Sequence, residues 1–245
     1  MPSPTLPDSR PARGAILAAL RGAAPATPLP APSLAPYLTG PYGRGCSGPA
    51  IDPASLIAPF EAAARGWRAE VLHARPDNWP AAVQQALAER GCRRVAIGAA
   101  SELQPGLDQA LAGLEVRRYT AALESWKHEL FDQIDAGITS AAAGIADTGT
   151  LVLRPGAHEP RTLSLVPPVH IAVLHASRLY AGLPAAMAAL HPQADMPTNL
   201  LCVTGPSKTA DIQQVLAFGA HGPKELIIVL VNDIQADIQT QEAAR

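Results

Sequence analysis

At 245 residues and 48% hydrophobic content, the chain is long enough for one sizeable core with an arm to spare, which excludes disorder throughout. Nineteen Lys and Arg against 21 Asp and Glu give a formal net charge of −2, so no global field draws the chain to phosphate backbones or anionic lipid, and a nucleic-acid partner is not expected. Cys46, Cys92 and Cys202 are odd in number, far apart and without C-x-x-C spacing, which argues against a disulfide framework, a zinc finger or an iron–sulfur cluster, and no metal site is expected.

The 25 prolines crowd Pro2–Pro11 and Pro25–Pro59 among Ala, Ser, Gly and Thr, a composition that continues neither a helix nor a central strand. Residues 1–59 therefore read as a Pro/Ala-rich N-terminal arm, with one short docking helix at Ala12–Ala24. No stretch reaches the roughly 18 consecutive apolar residues of a membrane span, and the N-terminal region lacks the apolar core of a signal peptide. The expected compartment is the cytoplasm.

Regular patterning starts near Phe60. Phe60–Arg65 and Trp79–Arg90 predict helices, the second with Val83 and Leu87 on one face and Gly91 as its stop. A strand at Arg94–Ile97, a helix at Leu107–Leu114, a strand at Glu115–Tyr119 and a helix around Ser125–Gln133 follow. The Ala-, Thr- and Gly-rich stretch Asp135–Leu153 ends in the strand Thr150–Leu153. Beyond it the pattern predicts a strand at Val169–His175, a helix at Leu183–Leu190, a strand at Leu200–Val203, a helix from Thr209 to Phe218, a strand at Leu226–Val231 and a polar tail over 233–245. The runs IAVL, LLCV and LIIVLV are almost wholly apolar, as strands covered on both faces are, so the predicted fold is a three-layer α/β/α sandwich over residues 60–232.

Four segments can carry chemistry. Asp147-Thr148-Gly149-Thr150 sets a carboxylate, two hydroxyls and a permissive backbone at the mouth of a buried strand, although the same residues serve as an ordinary turn. Pro167-Pro168 fixes the backbone before His170, allows a cis bond, and aims an imidazole that can act as an acid, a base, a ligand contact or simply a hydrogen-bonded core residue. Gly205-Pro206-Ser207-Lys208-Thr209, with Asp211 beyond, reads as a loop leading into a helix, which would offer N–H groups and a positive dipole end to an anion; helix capping by Ser207 or Thr209 uses the same geometry. His221-Gly222-Pro223 places another imidazole at a turn before the last strand. No Walker A loop, dinucleotide fingerprint, H-E-x-x-H or G-x-S-x-G occurs in a fitting context.

Taken in order, IADTGTLVL, SLVPPVHIAVL, TGPSKTADI and HGPKELIIVLV resemble the LUD domain of lactate-utilisation proteins of the LutC/YkgG type, over roughly Phe60 to Asn232. The resemblance implies a Rossmann-like sheet of the NagB/RpiA/CoA-transferase-like group. It also implies membership of a multi-protein system that oxidises L-lactate to pyruvate, with no cofactor in this chain and the iron–sulfur clusters on partner oxidoreductase subunits. The expected site lies at the carboxyl ends of the strands. There Thr148, Gly149, Thr150, Pro168, Gly205, Pro206, Ser207, Lys208, Thr209, Asp211 and Gly222 would hold a small carboxylate or phosphate, with Asp147, His170 or His221 managing a proton. Two other functions stay open: a stand-alone nucleotide- or acyl-CoA-binding enzyme, and a non-catalytic scaffold subunit using the arm.

Overall fold

The computed structural model describes residues 10–23, 51–190, 197, 199–210, 216–219 and 221–234. The chain divides into two compact units, Met1–Ser33 and Leu34–Arg245. The first contains helix α1 (Arg10–Ala23), where the sequence predicts a short helix, which buries no residue and exposes Ile16 and Leu20 one turn apart. The other residues of the predicted arm before position 51 lie outside the described residues.

The second unit begins inside the stretch predicted as arm. A 3-10 turn (Pro53–Leu56) runs into α2 (Ile57–Gly66), because Asp52 caps the turn through Ala54 N–H at 3.0 Å and Pro53 occupies a first-turn position that needs no donor. Phe60 and Ala64 of α2, both 0% exposed, then fix the helix on the body.

Six parallel strands form the central sheet. They are β1 (Glu70–Ala74), β2 (Arg94–Gly98), β3 (Glu115–Tyr119), β4 (Ala136–Ser140), β7 (Val169–His175) and β12 (Glu225–Val231), in the order β1-β12-β7-β4-β2-β3. The apolar runs IAVL and LIIVLV fall on β7 and β12, buried in the middle of the sheet as their composition requires. On one face Ile97, Ile138, Ile171 and Ile227 pack with Val83 and Leu87 of α3 (Trp79–Glu89) and Leu107 of α4 (Gln104–Ala110). Helices α5 (Leu123–Asp132) and α6 (Thr162–Leu165) close the β2 end through Leu130 and Leu163 against Ala96. On the opposite face Ala172, Leu174 and Ile228 meet Phe60 of α2 and Leu151 of a second sheet.

That second sheet contains β5 (Ala143–Ile145), β6 (Thr150–Leu153), β8 (Leu179–Tyr180) and β9 (Leu201–Val203), in the order β8-β5-β6-β9, with β6 antiparallel to both neighbours. The LLCV run therefore is not a strand covered on both faces. Its Leu201 and Val203 turn toward the core while Cys202 is exposed, the alternation of a strand with one buried side. Helix α7 (Leu183–Leu190) packs Ala186 beside Val152 on that outer side.

One predicted element is replaced. Where a helix is expected over 209–218, β10 (Lys208–Ala210) and β11 (Leu216–Phe218) pair antiparallel, Lys208 opposite Phe218 and Ala210 opposite Leu216. Gly219 N–H donates to Ser207 C=O at 2.9 Å and closes the hairpin, so backbone pairing across the strands wins over the weak helical spacing of this stretch. Pro167-Pro168 is trans, as is every other peptide bond among the described residues. Among those residues no helix is long and apolar enough to cross a membrane.

Candidate functional site

A cavity of about 240 Å³ opens where β7 and β12 begin, roofed by the residues that follow β9 and by the turn before β12. Its lining combines Ser164 and Leu165 of α6, His170, the stretch from Cys202 to Ser207, His221, Gly222, Pro223 and Leu226.

Backbone geometry brings these segments together. Gly205 has φ +77°, and a Cβ there would stand 2.3 Å from the carbonyl oxygen of Trp67, so only glycine lets the loop after β9 cross the end of α2. Ser207 N–H donates to Pro223 C=O at 2.9 Å and lashes the GPS segment to the HGP turn. Gly149, with φ +63°, does for the β5–β6 turn what Gly205 does for its loop, since a Cβ there would meet Ala64 N at 2.2 Å. The two threonine-bearing segments are joined through side chains: Thr150 Oγ1 lies 2.8 Å from Thr148 Oγ1 and 2.7 Å from Thr204 Oγ1, and Thr204 reaches the cavity.

His170 is the most unusual group here. It sits on β7 between Gly137 of β4 and Leu226 of β12, and is 1% exposed. Its Nε2 lies 2.9 Å from Thr139 Oγ1, whereas its Nδ1 is buried with no hydrogen-bond partner among the described residues. Burial disfavours the imidazolium and holds the pKa down to about 4, so the ring is neutral at physiological pH. An uncharged imidazole with a spare nitrogen, on a residue that lines a cavity, is suited to hydrogen bonding and poorly suited to carrying charge.

The sequence candidates separate into three groups. His170, Gly205, Pro206, Ser207, His221 and Gly222 share the cavity lining. Thr150 and Thr148 touch it only through the hydroxyl chain to Thr204. The others lie elsewhere. Asp147 and Gly149 belong to the β5–β6 turn, where Asp147 is exposed and its N–H donates to Ala181 C=O at 3.1 Å. Pro168 acts through its carbonyl, which accepts Lys224 N–H at 2.7 Å. Lys208 is exposed with Nζ 5.9 Å from the centroid of the Trp67 ring, and Thr209 pairs across the hairpin. Asp211 is outside the described residues. With β10 in place of a helix, the dipole argument for anion binding at 205–211 falls; hydroxyls and imidazoles remain as the polar groups.

The position of the cavity also departs from expectation, because it lies at the amino ends of β7 and β12. At the carboxyl ends of β2 and β4 the space is occupied by the chain itself. His158 C=O accepts Ala99 N–H at 2.7 Å there, and Glu159 accepts Ser140 N–H at 2.7 Å. Burial pushes the Glu159 carboxyl above the usual range, opposed by the hydrogen bonds from Ser140 and Ser101. Beside it Arg178 holds Glu102 through contacts of 2.6 and 2.9 Å, and His175 Nδ1 lies 3.3 Å from Asp233. Sequence reading missed Thr139, which sits inside an apolar strand and acquires meaning only from the pairing of β4 with β7.

A three-layer α/β/α protein with a small mixed sheet laid over its parallel one, and a cavity where the two meet, is the class that fold and site define. The LUD domain model matches residues 57–231, and the chain belongs to that family. It is 39% identical over 175 residues to an uncharacterized protein of Neisseria meningitidis serogroup B, covering 70% of this chain and 75% of the relative. It is 30% identical over 175 residues to lactate utilization protein C of Halalkalibacterium halodurans, covering 67% of this chain and 74% of the relative. Among solved structures, a DUF162 family protein from Deinococcus radiodurans superposes with a TM-score of 0.56 at 24% identity, over 74% of this chain and 99% of that one, which shows the same fold.

Proposed function

We propose that this chain acts in lactate utilization, as a clusterless component of a multi-protein system that oxidises L-lactate to pyruvate, and that the His170 cavity binds a small anionic ligand of that reaction. The relatives named lactate utilization protein C support the pathway. The observation that carries the ligand site is the buried, neutral His170, whose unpartnered Nδ1 belongs to a residue lining the same cavity as Thr204, Ser207 and His221. A volume of about 240 Å³ falls below the usual 300–1,000 Å³ of drug-sized sites and suits a three-carbon acid better than a nucleotide or an acyl-CoA.

In this reading His170 and the hydroxyls of Thr204 and Ser207 hold and orient the ligand, with His221 at the mouth. The two electrons removed from lactate pass to iron–sulfur clusters on partner oxidoreductase subunits, and this chain supplies binding and orientation. Growth on L-lactate as sole carbon source tests the pathway: a strain lacking this gene and any redundant system is expected to fail, and normal growth would refute the assignment.

A further inference from the structure

Buried polar groups are hydrogen-bonded in folded proteins, and the few that are not call for an explanation. Among the described residues His170 Nδ1 is such a group, and what it can offer a ligand depends on which ring nitrogen carries the proton. Thr139 is 4% exposed, and among the described residues its hydroxyl has one hydrogen-bond partner, His170 Nε2 at 2.9 Å. Two proton arrangements are available. If Nε2 carried the ring proton and donated it to Thr139, the threonine hydrogen would have no acceptor and Nδ1 would present a bare lone pair. If Thr139 donates to Nε2, the ring proton is on Nδ1, which then presents an N–H. Each arrangement makes one hydrogen bond, and only the second offers the donor that a carboxylate or carbonyl oxygen, which accepts, can pair with.

Resting on the reading of this cavity as a ligand site, we propose that His170 is a neutral hydrogen-bond donor through Nδ1–H to a carboxylate or carbonyl oxygen of a small 2-hydroxy or 2-oxo acid, with Thr139 as the positioning residue that sets its tautomer. The cavity offers further donors for the same kind of ligand, since the Ser207 and Thr204 hydroxyls can each present a proton to a second oxygen. The ring charges only near pH 4, so the donor persists across the physiological range without a competing proton equilibrium. This role differs from that of a general acid or base, which needs a pKa near the working pH. Position 137 agrees with a fixed ring: a Cβ on Gly137, which pairs with His170, would lie 2.1 Å from Leu163 C=O, so the glycine lets the α6 backbone close over β4 next to the imidazole.

The test is a long-range 1H–15N spectrum of the histidine rings in the ligand-free full chain, with His170 assigned by its disappearance in His170→Gln. The expected signature is a single tautomer protonated at Nδ1; an Nε2-protonated ring would overturn the proposal, while leaving the lactate pathway to the growth test. Thr139→Val is expected to mix the tautomers and Thr139→Ser to restore the parent spectrum. If Thr139→Val does not fold, the parent spectrum and the serine variant still decide. Titration then uses L-lactate, pyruvate, propane-1,2-diol and inorganic phosphate. The two acids are expected to shift the Nδ1–H resonance and to bind roughly tenfold less tightly to Thr139→Val, the loss of about one hydrogen bond. Equal binding of the diol, or binding of phosphate alone, would overturn the ligand class.

Discussion

Acidification should destabilise this protein through His170 by an amount that the structure sets. In the unfolded chain an imidazole takes up its proton near pH 6.5, whereas the buried ring stays neutral down to about pH 4. Between those values the unfolded state binds more protons than the folded one, so stability falls as pH falls; above pH 6.5 both states are neutral and His170 contributes no pH dependence. At about 1.4 kcal/mol per pH unit the gap amounts to roughly 3 kcal/mol, most of it lost by about pH 4.5. Glu159 works in the opposite direction, because its raised pKa makes the folded state hold a proton that the unfolded state has released, which adds stability as pH falls through that range. The clean observable is therefore a difference. Urea unfolding of the parent and of His170→Gln, at about pH 7.5, 6.5, 5.5 and 4.5, should show the parent losing about 3 kcal/mol relative to the variant across the series. A difference that does not change with pH would show that the ring is not held neutral, and would remove the basis for treating it as an uncharged donor.

Further outcomes follow from the same geometry. Gly205→Ala and Gly149→Ala each put a methyl group into backbone at a positive φ, and each should lower stability by about 2 kcal/mol or more in thermal unfolding; an unchanged Tm would mean the loops do not depend on α2 for their path. Thr150→Val breaks the Thr148–Thr150–Thr204 hydroxyl chain and is expected to cost about 1–2 kcal/mol in denaturant titration, with a smaller effect for Thr148→Val at the exposed end. Asp147→Asn, outside the cavity lining, should leave L-lactate affinity within about twofold, whereas His170→Gln should reduce it at least tenfold by calorimetry. A strong loss with Asp147→Asn would return the carboxylate to the site.

Much of the fold was legible in the residues. Val169–His175, Glu115–Tyr119, Thr150–Leu153 and Leu183–Leu190 fall where hydrophobic runs and turn residues predict them. The failures have physical causes. Lys208–Ala210 and Leu216–Phe218 form a hairpin because long-range closure at Ser207 and Gly219 fixes them, and a local helical pattern cannot register that contact. Leu201–Val203 is apolar enough for a central strand, but it pairs with β6 in the second sheet, and composition does not say which sheet a three-residue strand joins. Of the candidate site, His170, Gly205, Ser207 and His221 converge as their segments suggested, though at the opposite end of the sheet from the one a doubly wound fold recommends. Thr139 could not have been found from its own neighbours, since its role depends on a partner 31 positions away on the adjoining strand.

The proposed contribution of this chain to lactate utilization is a carboxylate-binding cavity at His170. Complementation tests it most directly: a deletion strain growing on L-lactate is supplied with the parent gene, with His170→Gln, or with Asp147→Asn, and the folded protein level is checked in each. The account predicts growth with the parent and with Asp147→Asn, and its loss with His170→Gln at equal protein level. Full growth with His170→Gln would contradict it.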